Sequence, residues 1–326
     1  MLGEFGYVVD VVDIRDRRFR PSRDYDLIIS NRVTHSSLAK DAIKLYLATT
    51  LCHPAHCRNL RRRHILLFKR RKYGLKVRRL YSGRMPYVTQ SDAVICFGNE
   101  FVMNSWKEVF TGPIYRFNNY GFKETEVLLD SKDFLTAREN FLFFASGSQM
   151  QKGLDLLLEI FPQHPNLHLY VCSDFKGEDD FCSCYQKELY RTPNIHPIGR
   201  VRVNGPEFYD LVRKCAYVIC PSCSEGQSGS VVQGMYSGLI PMVTRETGVD
   251  TGDFGITFSD DSLREIERVV VAVSRLPESW HREHSVKTRK ISEEEYSEDA
   301  FVRRWRGILG ELLGHLESKN GGARLH

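Results

Sequence analysis

Short apolar runs alternate with amphipathic helical runs along most of the chain. This alternation predicts parallel sheets covered by helices on both faces, and therefore an α/β fold. In the first half the predicted strands are 7–13, 26–30, 44–50, 75–80, 93–98 and 114–117. In the second half they are 141–146, 167–172, 195–199, 217–221, 240–244 and 254–258. Two doubly wound halves are the natural interpretation of this order.

Helical periodicity fills the gaps between these strands and dominates the end of the chain. Helices are predicted over 152–161, 181–190, 205–215 and 230–238. After Ser259 the pattern stays helical over 261–276 and 298–316, with Pro277 between the two segments. A chain of 326 residues suits two domains. The polar stretch 118–140 interrupts the alternation, so we predict domains over 1–125 and 126–285, with C-terminal helices at 286–326 packing back on the first domain.

The first predicted domain lacks its opening strand. Residues 2–6 resemble the end of a helix placed directly before the strand at 7–13. The strand and glycine-rich turn that precede such a helix in a doubly wound sheet are missing. Either the chain is shorter than its relatives, or this sheet is rearranged.

The composition of the chain indicates the cellular compartment in which it is found. No stretch approaches the roughly 20 apolar residues of a membrane span, and the first residues lack the pattern of a secretion signal. The nine cysteines are an odd number, and several lie in apolar runs, which fits a reducing compartment. These features predict a soluble cytoplasmic protein.

The positive charge is concentrated in one segment. Residues 58–84 contain 12 Lys or Arg and no Asp or Glu. Three interpretations stand at this point: a solvated helix face, contact with an anionic surface at the inner face of the membrane, and nucleic-acid binding. The segment lacks the zinc-finger and RNA-binding patterns, so nucleic acid is not expected.

The stretch from Pro221 to Thr244 predicts a strand, a glycine and serine turn, a helix and a second strand. The turn from Glu225 to Ser230 places backbone N–H groups at a helix start, which is an anion site. Glu225 at its mouth is a good acceptor for hydroxyl groups. The two features together indicate a sugar diphosphate.

This stretch resembles the signature of retaining glycosyltransferase family 4, which has the GT-B fold. Residues 141–161 resemble that family's strand, loop and Lys-Gly helix start, and 194–201 resemble the strand before its nucleobase pocket. The resemblance covers roughly 141–261 and extends only loosely to the first half. It implies two Rossmann-like domains facing each other across a cleft.

The resemblance also implies roles for individual residues. Lys152 would hold the donor diphosphate, and Glu225 would bind the donor sugar. Gly147 stands where the family usually has an arginine, so backbone N–H groups of Gly147 and Ser148 would replace that cation. The remaining donor contacts would be Gly226, Gln227, Ser228, Gly229 and Ser230.

Two further departures concern the nucleoside and the acceptor side. Gln233 replaces the glutamate that holds the ribose, and it retains a carbonyl acceptor without charge. The base would lie near Gly199, Arg200 and Val201, with nothing to separate UDP from GDP. His53 is the first choice for the family's histidine facing the donor across the cleft, and His56 is the other histidine of that segment.

Other chemistries fit less well. Cys52, His53, His56 and Cys57 are zinc-ligand types, but structural zinc sites usually combine two distant ligand pairs. Cys220 and Cys223 have redox spacing without a helix at the first cysteine. No glycine-rich turn typical of NAD binding follows a strand.

We therefore predict a retaining hexosyltransferase that uses a UDP- or GDP-sugar, requires no metal or other cofactor, and acts on a saccharide or lipid-linked acceptor. Glu225, Lys152 and His53 are its candidate catalytic residues. The alternative is a weak or inactive relative that binds a nucleotide sugar or glycan. Gln233, Gly147 and the missing strand favour this alternative.

Overall fold

The structure is a computed structural model that describes residues 3, 6, 8–13, 16, 18, 19, 23–31, 42–81, 86–122 and 129–319. The elements of its first half are β1 (Leu27–Ser30), β2 (Ile43–Ala48), α1 (His53–Arg71), α2 (Pro86–Thr89), β3 (Ala93–Phe97), α3 (Glu100–Trp106) and β4 (Ile114–Phe117). The second half contains α4 (Phe134–Ala137), β5 (Asn140–Phe144), α5 (Leu154–Ile160), β6 (His168–Cys172), α6 (Asp179–Cys184), α7 (Gln186–Arg191), β7 (Ile195–His196), α8 (Pro206–Lys214), β8 (Tyr217–Cys220), α9 (Gly229–Tyr236), β9 (Ile240–Thr244), β10 (Ile256–Phe258), α10 (Leu263–Ser274), α11 (Glu278–Glu295) and α12 (Glu298–Lys319).

Two parallel sheets confirm the predicted α/β class. The first sheet has the order β1-β2-β3-β4 and the second β10-β9-β8-β5-β6-β7. In the second sheet the chain builds outward from β5 to β7 and then returns to place β8 on the other side of β5. Ligands bind beyond the carboxyl ends of the strands at such a reversal. The loops after β5 and β8 are therefore where a ligand is expected.

Helix α1 joins the two halves. Ala55, near its start, is buried in the core of the first sheet. Leu60 and Leu67 are buried in the core of the second sheet. Helix α1 therefore connects the first sheet to the second sheet through its buried residues.

The last two helices cover opposite halves. Trp305, Ile308 and Leu309 of α12 are buried against the first sheet, where they meet Leu45 and Ile95. Helix α11 instead packs on α9 and β9. The chain therefore returns to the first sheet only with α12.

Two predicted strands are wrong. Residues 8–13 form no strand, with Val8 76% and Val11 92% exposed, while Tyr7 lies outside the described residues. Residues 75–80 are irregular because their polar groups are used elsewhere: the backbone N–H of Lys76 donates to Asp180 at 2.7 Å. A backbone N–H that donates to a side chain of the other half is not available to pair with a neighbouring strand.

Candidate functional site

The turn between β8 and α9 has the predicted form, and helix α9 starts at Gly229. Ser228 precedes it without a side-chain cap to the helix. Gly229 is exposed, and no atom lies within 4 Å of the place where a Cβ would stand. The start of α9 is therefore uncrowded at Gly229, and its first-turn N–H groups are a candidate anion site.

Lys152 and Glu225 form one ion pair beside this helix start. Lys152 lies in the turn before α5, and its Nζ is 2.6 Å from Oε1 of Glu225. Their side chains are only 7% and 12% exposed. Burial disfavours the charged ammonium, but the Glu225 carboxylate outweighs it and raises the pKa of Lys152. The two residues predicted for the diphosphate and the sugar are thus brought together as an ion pair.

His56, rather than His53, links the two cleft walls. Its Nδ1 is 2.8 Å from Oγ of Ser224, and its Nε2 is 2.7 Å from the carbonyl oxygen of Arg79. Burial lowers the pKa of His56. The imidazole is therefore neutral at pH 7, and it hydrogen-bonds the residue that precedes Glu225.

His53 lies one helical turn earlier, outside this contact. Its ring stacks on Tyr81 at 4.0 Å and meets the edge of Trp106 at 6.0 Å. Burial, followed by the nearby His56, lowers the pKa of His53 to about 4. The sequence does carry a signal for His56, because His56, Leu60, Arg63 and Leu67 recur at helical spacing and share the buried face of α1.

The loop at Gly147 and Ser148 already holds an anion of the protein itself. Ser148 has a left-handed φ of +68°, and its N–H donates to Oε1 of Glu178. The N–H of Gln149 donates to the same oxygen at 3.2 Å. Of the two N–H groups expected to bind the diphosphate, that of Ser148 therefore binds the buried Glu178 carboxylate instead. The sequence pattern contains no signal for this contact.

The loop at Gly226 and Gln227 packs against the first half. A Cβ at Gly226 would stand 2.5 Å from the carbonyl group of Thr49. The Gln227 side chain accepts from the N–H of Asn119 at 2.6 Å and donates to Oδ1 of Asn118 at 2.9 Å. These contacts fix the backbone around Glu225 against the ends of β2 and β4.

Gln233, the predicted ribose contact, is buried, and both its amide nitrogen and its amide oxygen are hydrogen-bonded. Its Nε2 donates to the carbonyl of Phe122 at 2.8 Å and to Oδ1 of Asn204 at 3.1 Å. Its Oε1 accepts from the N–H of Phe122 at 3.3 Å. The side chain that stands in the family's ribose position thus holds the segment between the two halves.

The predicted base site lies in the loop after β7. Gly199 has a left-handed φ of +95°, with nothing within 4 Å of a Cβ position. Arg200 is exposed, whereas Val201 is buried in the core beneath. Gly199 itself is buried, and its exposed neighbours are Ile198 and Arg200.

The basic segment serves mainly as an interface between the halves. Arg63 is fully buried, with Nη1 3.4 Å from Asp155 and Nη2 2.9 Å from Asp261. Arg70 contacts Asp155 at 2.8 Å and Glu159 at 3.0 Å. Further pairs are Arg62–Asp261, Arg71–Glu188, Arg78–Glu178 and Arg78–Asp180. The expected solvated face is therefore only part of the segment, because its partners are acids of the second half.

A cavity of about 370 Å³ lies between the halves, next to Asn118, whose side chain accepts a hydrogen bond from Gln227. Its lining includes Arg116, Asn118, Asp250, Phe254, Ile291, Glu295, Tyr296 and Arg304. Arg116 pairs with Asp250, and Arg304 pairs with Glu295. Paired charges of both signs give the cavity donors and acceptors for a hydroxyl-rich ligand.

The zinc alternative finds no support among the residues that the structure describes, where no three His, Cys, Asp or Glu side chains are grouped to hold a metal. All nine cysteines are free thiols. Burial raises the pKa of Cys220 and of Cys223 to about 12, so neither is a reactive thiolate at neutral pH. Within the described part of the chain, every helix is too short or too polar to cross a bilayer.

Comparison with known structures places the fold. TarM of S. aureus, solved with fondaparinux, α-GlcNAc-glycerol and UDP, aligns with a TM-score of 0.59 at 15% identity. The match covers 86% of this chain and 55% of TarM, so the chain spans about half the length of that protein. HepE of Anabaena, solved with UDP-glucose, aligns with a TM-score of 0.62 at 14% identity over 89% of this chain and 79% of its own. WaaG, a glycosyltransferase involved in lipopolysaccharide biosynthesis, gives 0.55 at 13% identity, covering 81% and 73%.

A family comparison addresses the second half directly. A search of curated proteins gave no significant match. Residues 138–276 match the family model described as glycosyl transferases group 1. This range contains Lys152, Glu225 and both loops at the strand reversal. The chain therefore has the GT-B fold of its structural neighbours, and its residues 138–276 match the glycosyl transferases group 1 family.

Proposed function

We propose that this chain transfers a hexose from a nucleoside diphosphate sugar to a saccharide or lipid-linked acceptor, with retention of configuration. The observation that carries the proposal is the buried Lys152–Glu225 pair beside the open start of α9, within the group 1 match. The structural neighbour HepE was solved with UDP-glucose. A UDP-sugar is therefore the first donor to test, with GDP-sugars as the alternative.

The donor's charge would be met by backbone and side-chain groups without a metal. The diphosphate would lie on the N–H groups of Gly229 and Ser230, with the Lys152 ammonium beside it. Glu225 would accept hydrogen bonds from the sugar hydroxyls and stabilise positive charge at the anomeric carbon. The base would lie over Gly199 to Val201, and Gln233 would keep its role in holding Phe122.

In the proposed step, the acceptor oxygen bonds to the anomeric carbon on the face from which the diphosphate leaves. The acceptor's proton passes to the departing phosphate oxygen. His53, neutral at pH 7, would face the acceptor side as a hydrogen-bonding group. The cavity next to Asn118 suits a saccharide, because its arginine and carboxylate side chains can bind hydroxyl groups from both sides.

The second candidate is a relative that binds a nucleotide sugar without turnover. Two observations favour it: Glu178 occupies the N–H groups near Gly147, and the nitrogen and oxygen of the Gln233 amide are both hydrogen-bonded. In that case nucleotides would raise the melting temperature without being consumed. A transferase would show both effects.

The deciding experiment incubates the protein with a panel of UDP- and GDP-sugars and saccharide acceptors, with and without EDTA. Product anomers are assigned by NMR. We expect EDTA-insensitive transfer with retention, lost in Glu225→Gln and kept in Glu246→Gln. Glu246 is the matched control, because its carboxylate pairs with the exposed Arg245. Binding without turnover by the wild type would favour the second candidate.

We also propose that the exposed side of α1 contacts an anionic membrane surface. The bases Arg58, Arg61 and Lys69 of α1, and Lys72 directly after it, are exposed and form no ion pair with other described residues. Ile65 and Phe68 on the same helix are 56% and 54% exposed. Lys and Arg side chains around exposed apolar side chains are typical of helices that bind at a membrane surface.

Flotation with vesicles tests this contact. The protein should bind vesicles containing phosphatidylglycerol at low salt and not pure phosphatidylcholine. The variant Ile65→Ser/Phe68→Ser should reduce binding several-fold. The control Tyr190→Ser/Val286→Ser removes exposed apolar groups elsewhere (53% and 46% exposed) and should bind as the wild type does. Equal loss in both variants would contradict the proposal.

A further inference from the structure

The candidate donor site is short of positive charge. Gly147 supplies no cation, and the N–H groups of Ser148 and Gln149 are occupied by Glu178. The charge of Lys152 is balanced by Glu225 at 2.6 Å. A bound diphosphate would therefore need a second cation from another part of the cleft.

The backbone of Arg79 lies beside the candidate donor site. Its carbonyl oxygen lies 2.7 Å from Nε2 of His56, whose Nδ1 is 2.8 Å from Ser224. Ser224 is the residue before Glu225. One imidazole thus ties the backbone of Arg79 to the loop that carries the candidate sugar-binding carboxylate.

The backbone of Arg79 is strained in a way that points to function. Its φ is +57°, in the left-handed region that non-glycine residues rarely occupy. Such strain persists where the surroundings enforce it and is concentrated at binding sites. Here the His56 hydrogen bond holds the conformation in place.

The side chain of Arg79 also differs from that of its neighbour. Arg78 is held by Asp180 and Glu178. Arg79 is exposed, and no ion pair or hydrogen bond joins its guanidinium to the described residues. Burial is the main cause of the lowered pKa of His56, and the charge of Arg79 lowers that pKa further.

We infer that Arg79 is the second cation for the donor diphosphate, supplied across the cleft in place of the arginine that family members carry at the position of Gly147. This inference rests on the proposed function. The ligand it recognises is a nucleoside diphosphate, through its phosphates and not through its base.

The test compares Arg79→Gly and Arg79→Lys with the control Arg61→Gln in calorimetric titrations with UDP, UDP-glucose, GDP and uridine. Glycine tolerates the left-handed φ, so Arg79→Gly should fold and lose only the side chain. Arg61 is an exposed base of α1 without an ion pair to described residues. Melting curves check that each variant is folded.

We expect Arg79→Gly to weaken diphosphate binding at least tenfold and to leave uridine binding unchanged. Arg79→Lys should retain part of the affinity, and Arg61→Gln all of it. The slope of log affinity against log salt should become shallower in Arg79→Gly. If wild-type protein binds diphosphates and Arg79→Gly binds them equally well, the inference is wrong. If the wild type binds no nucleoside diphosphate, the proposed function fails as well.

Discussion

The ammonium of Lys152 and the carboxylate of Glu225 lie 2.6 Å apart at the carboxyl ends of β5 and β8, almost fully buried. The Glu225 carboxylate raises the pKa of Lys152 and so favours the charged ammonium in this buried position. Loss of one partner of a buried pair leaves an uncompensated charge and costs about 3–5 kcal/mol. Replacing both partners by neutral groups of similar shape costs much less.

We therefore expect Lys152→Met and Glu225→Gln each to lower the free energy of unfolding by about 3 kcal/mol. The double variant should recover most of that loss while remaining inactive. Urea denaturation of the four proteins in the cycle measures the coupling. Strictly additive losses would show that the two charges do not interact.

Arg62 and Arg63 provide a matched pair on α1, because both contact Asp261, at 2.5 and 2.9 Å. The Arg62 side chain is 50% exposed and that of Arg63 is 1% exposed. Arg63→Met should cost about 3–5 kcal/mol, since Asp155 and the carbonyl of Pro221 also lose a partner. Arg62→Met should cost less than about 1 kcal/mol. Similar denaturation midpoints for the two variants would contradict the interface role of α1.

Gly248 and Gly229 differ in how much room they leave for a side chain, so alanine substitutions at the two positions should differ in their effect on stability. Gly248 has a φ of +76°, and a Cβ there would stand 1.5 Å from the carbonyl oxygen of Gly226. Gly248→Ala should cost more than about 1–3 kcal/mol, the usual cost of a strained backbone alone, and should displace the Gly226 loop. Gly229→Ala is the control for stability, because its Cβ would meet no atom within 4 Å. Thermal melts of both variants decide whether the loop is as tightly packed as described.

The second half could be predicted well from its sequence, because its strands carry continuous apolar runs and its turns carry glycine. Helix α11 was missed because its buried face is polar. Ser285 donates to the carbonyl of Gly238, and Thr288 donates to that of Phe254 at 3.2 Å. Ser292 and His281 are also fully buried. Hydrophobic periodicity has no signal for a helix that packs through hydroxyl groups.

The candidate site also contains contacts that could not be predicted from the sequence. Lys152 and Glu225 could be proposed from the sequence because they match positions of the family signature that 141–161 and 221–244 resemble. The carboxylate of Glu178 at Ser148 and the hydrogen bond of His56 to Ser224 join residues 30 and 168 positions apart. Contacts at such separations depend on how the two sheets meet, which no local pattern encodes. The arginines of α1 are predicted from the sequence to be solvated because their acidic partners also lie far away along the chain.

The stability of the protein should decrease in mild acid. Burial lowers the pKa of His53 to about 4, below its unfolded value of about 6.5, so the unfolded chain binds more protons in this range. Stability from this group is fully present above the unfolded pKa and is lost as pH falls from about 6.5 towards 4. His53→Gln should flatten this part of the profile, measured as urea midpoints between pH 8 and 4. Parallel profiles for variant and wild type would show that another group, such as His56, causes the loss.

A substitution at Gln233 can distinguish the ribose-binding role expected from the sequence from the hydrogen-bonding role seen in the structure. In the structure its Nε2 donates to Phe122 and Asn204, so Gln233→Glu would place a carboxylate oxygen against two acceptors. We expect a loss of about 1–3 kcal/mol in stability and no gain in UDP affinity. The control Gln163→Glu makes the same change at an exposed position and should stay within about 0.5 kcal/mol of wild type. If Gln233→Glu instead binds UDP more tightly at unchanged stability, position 233 contacts the ribose, and the segment at Phe122 must move aside when the donor binds.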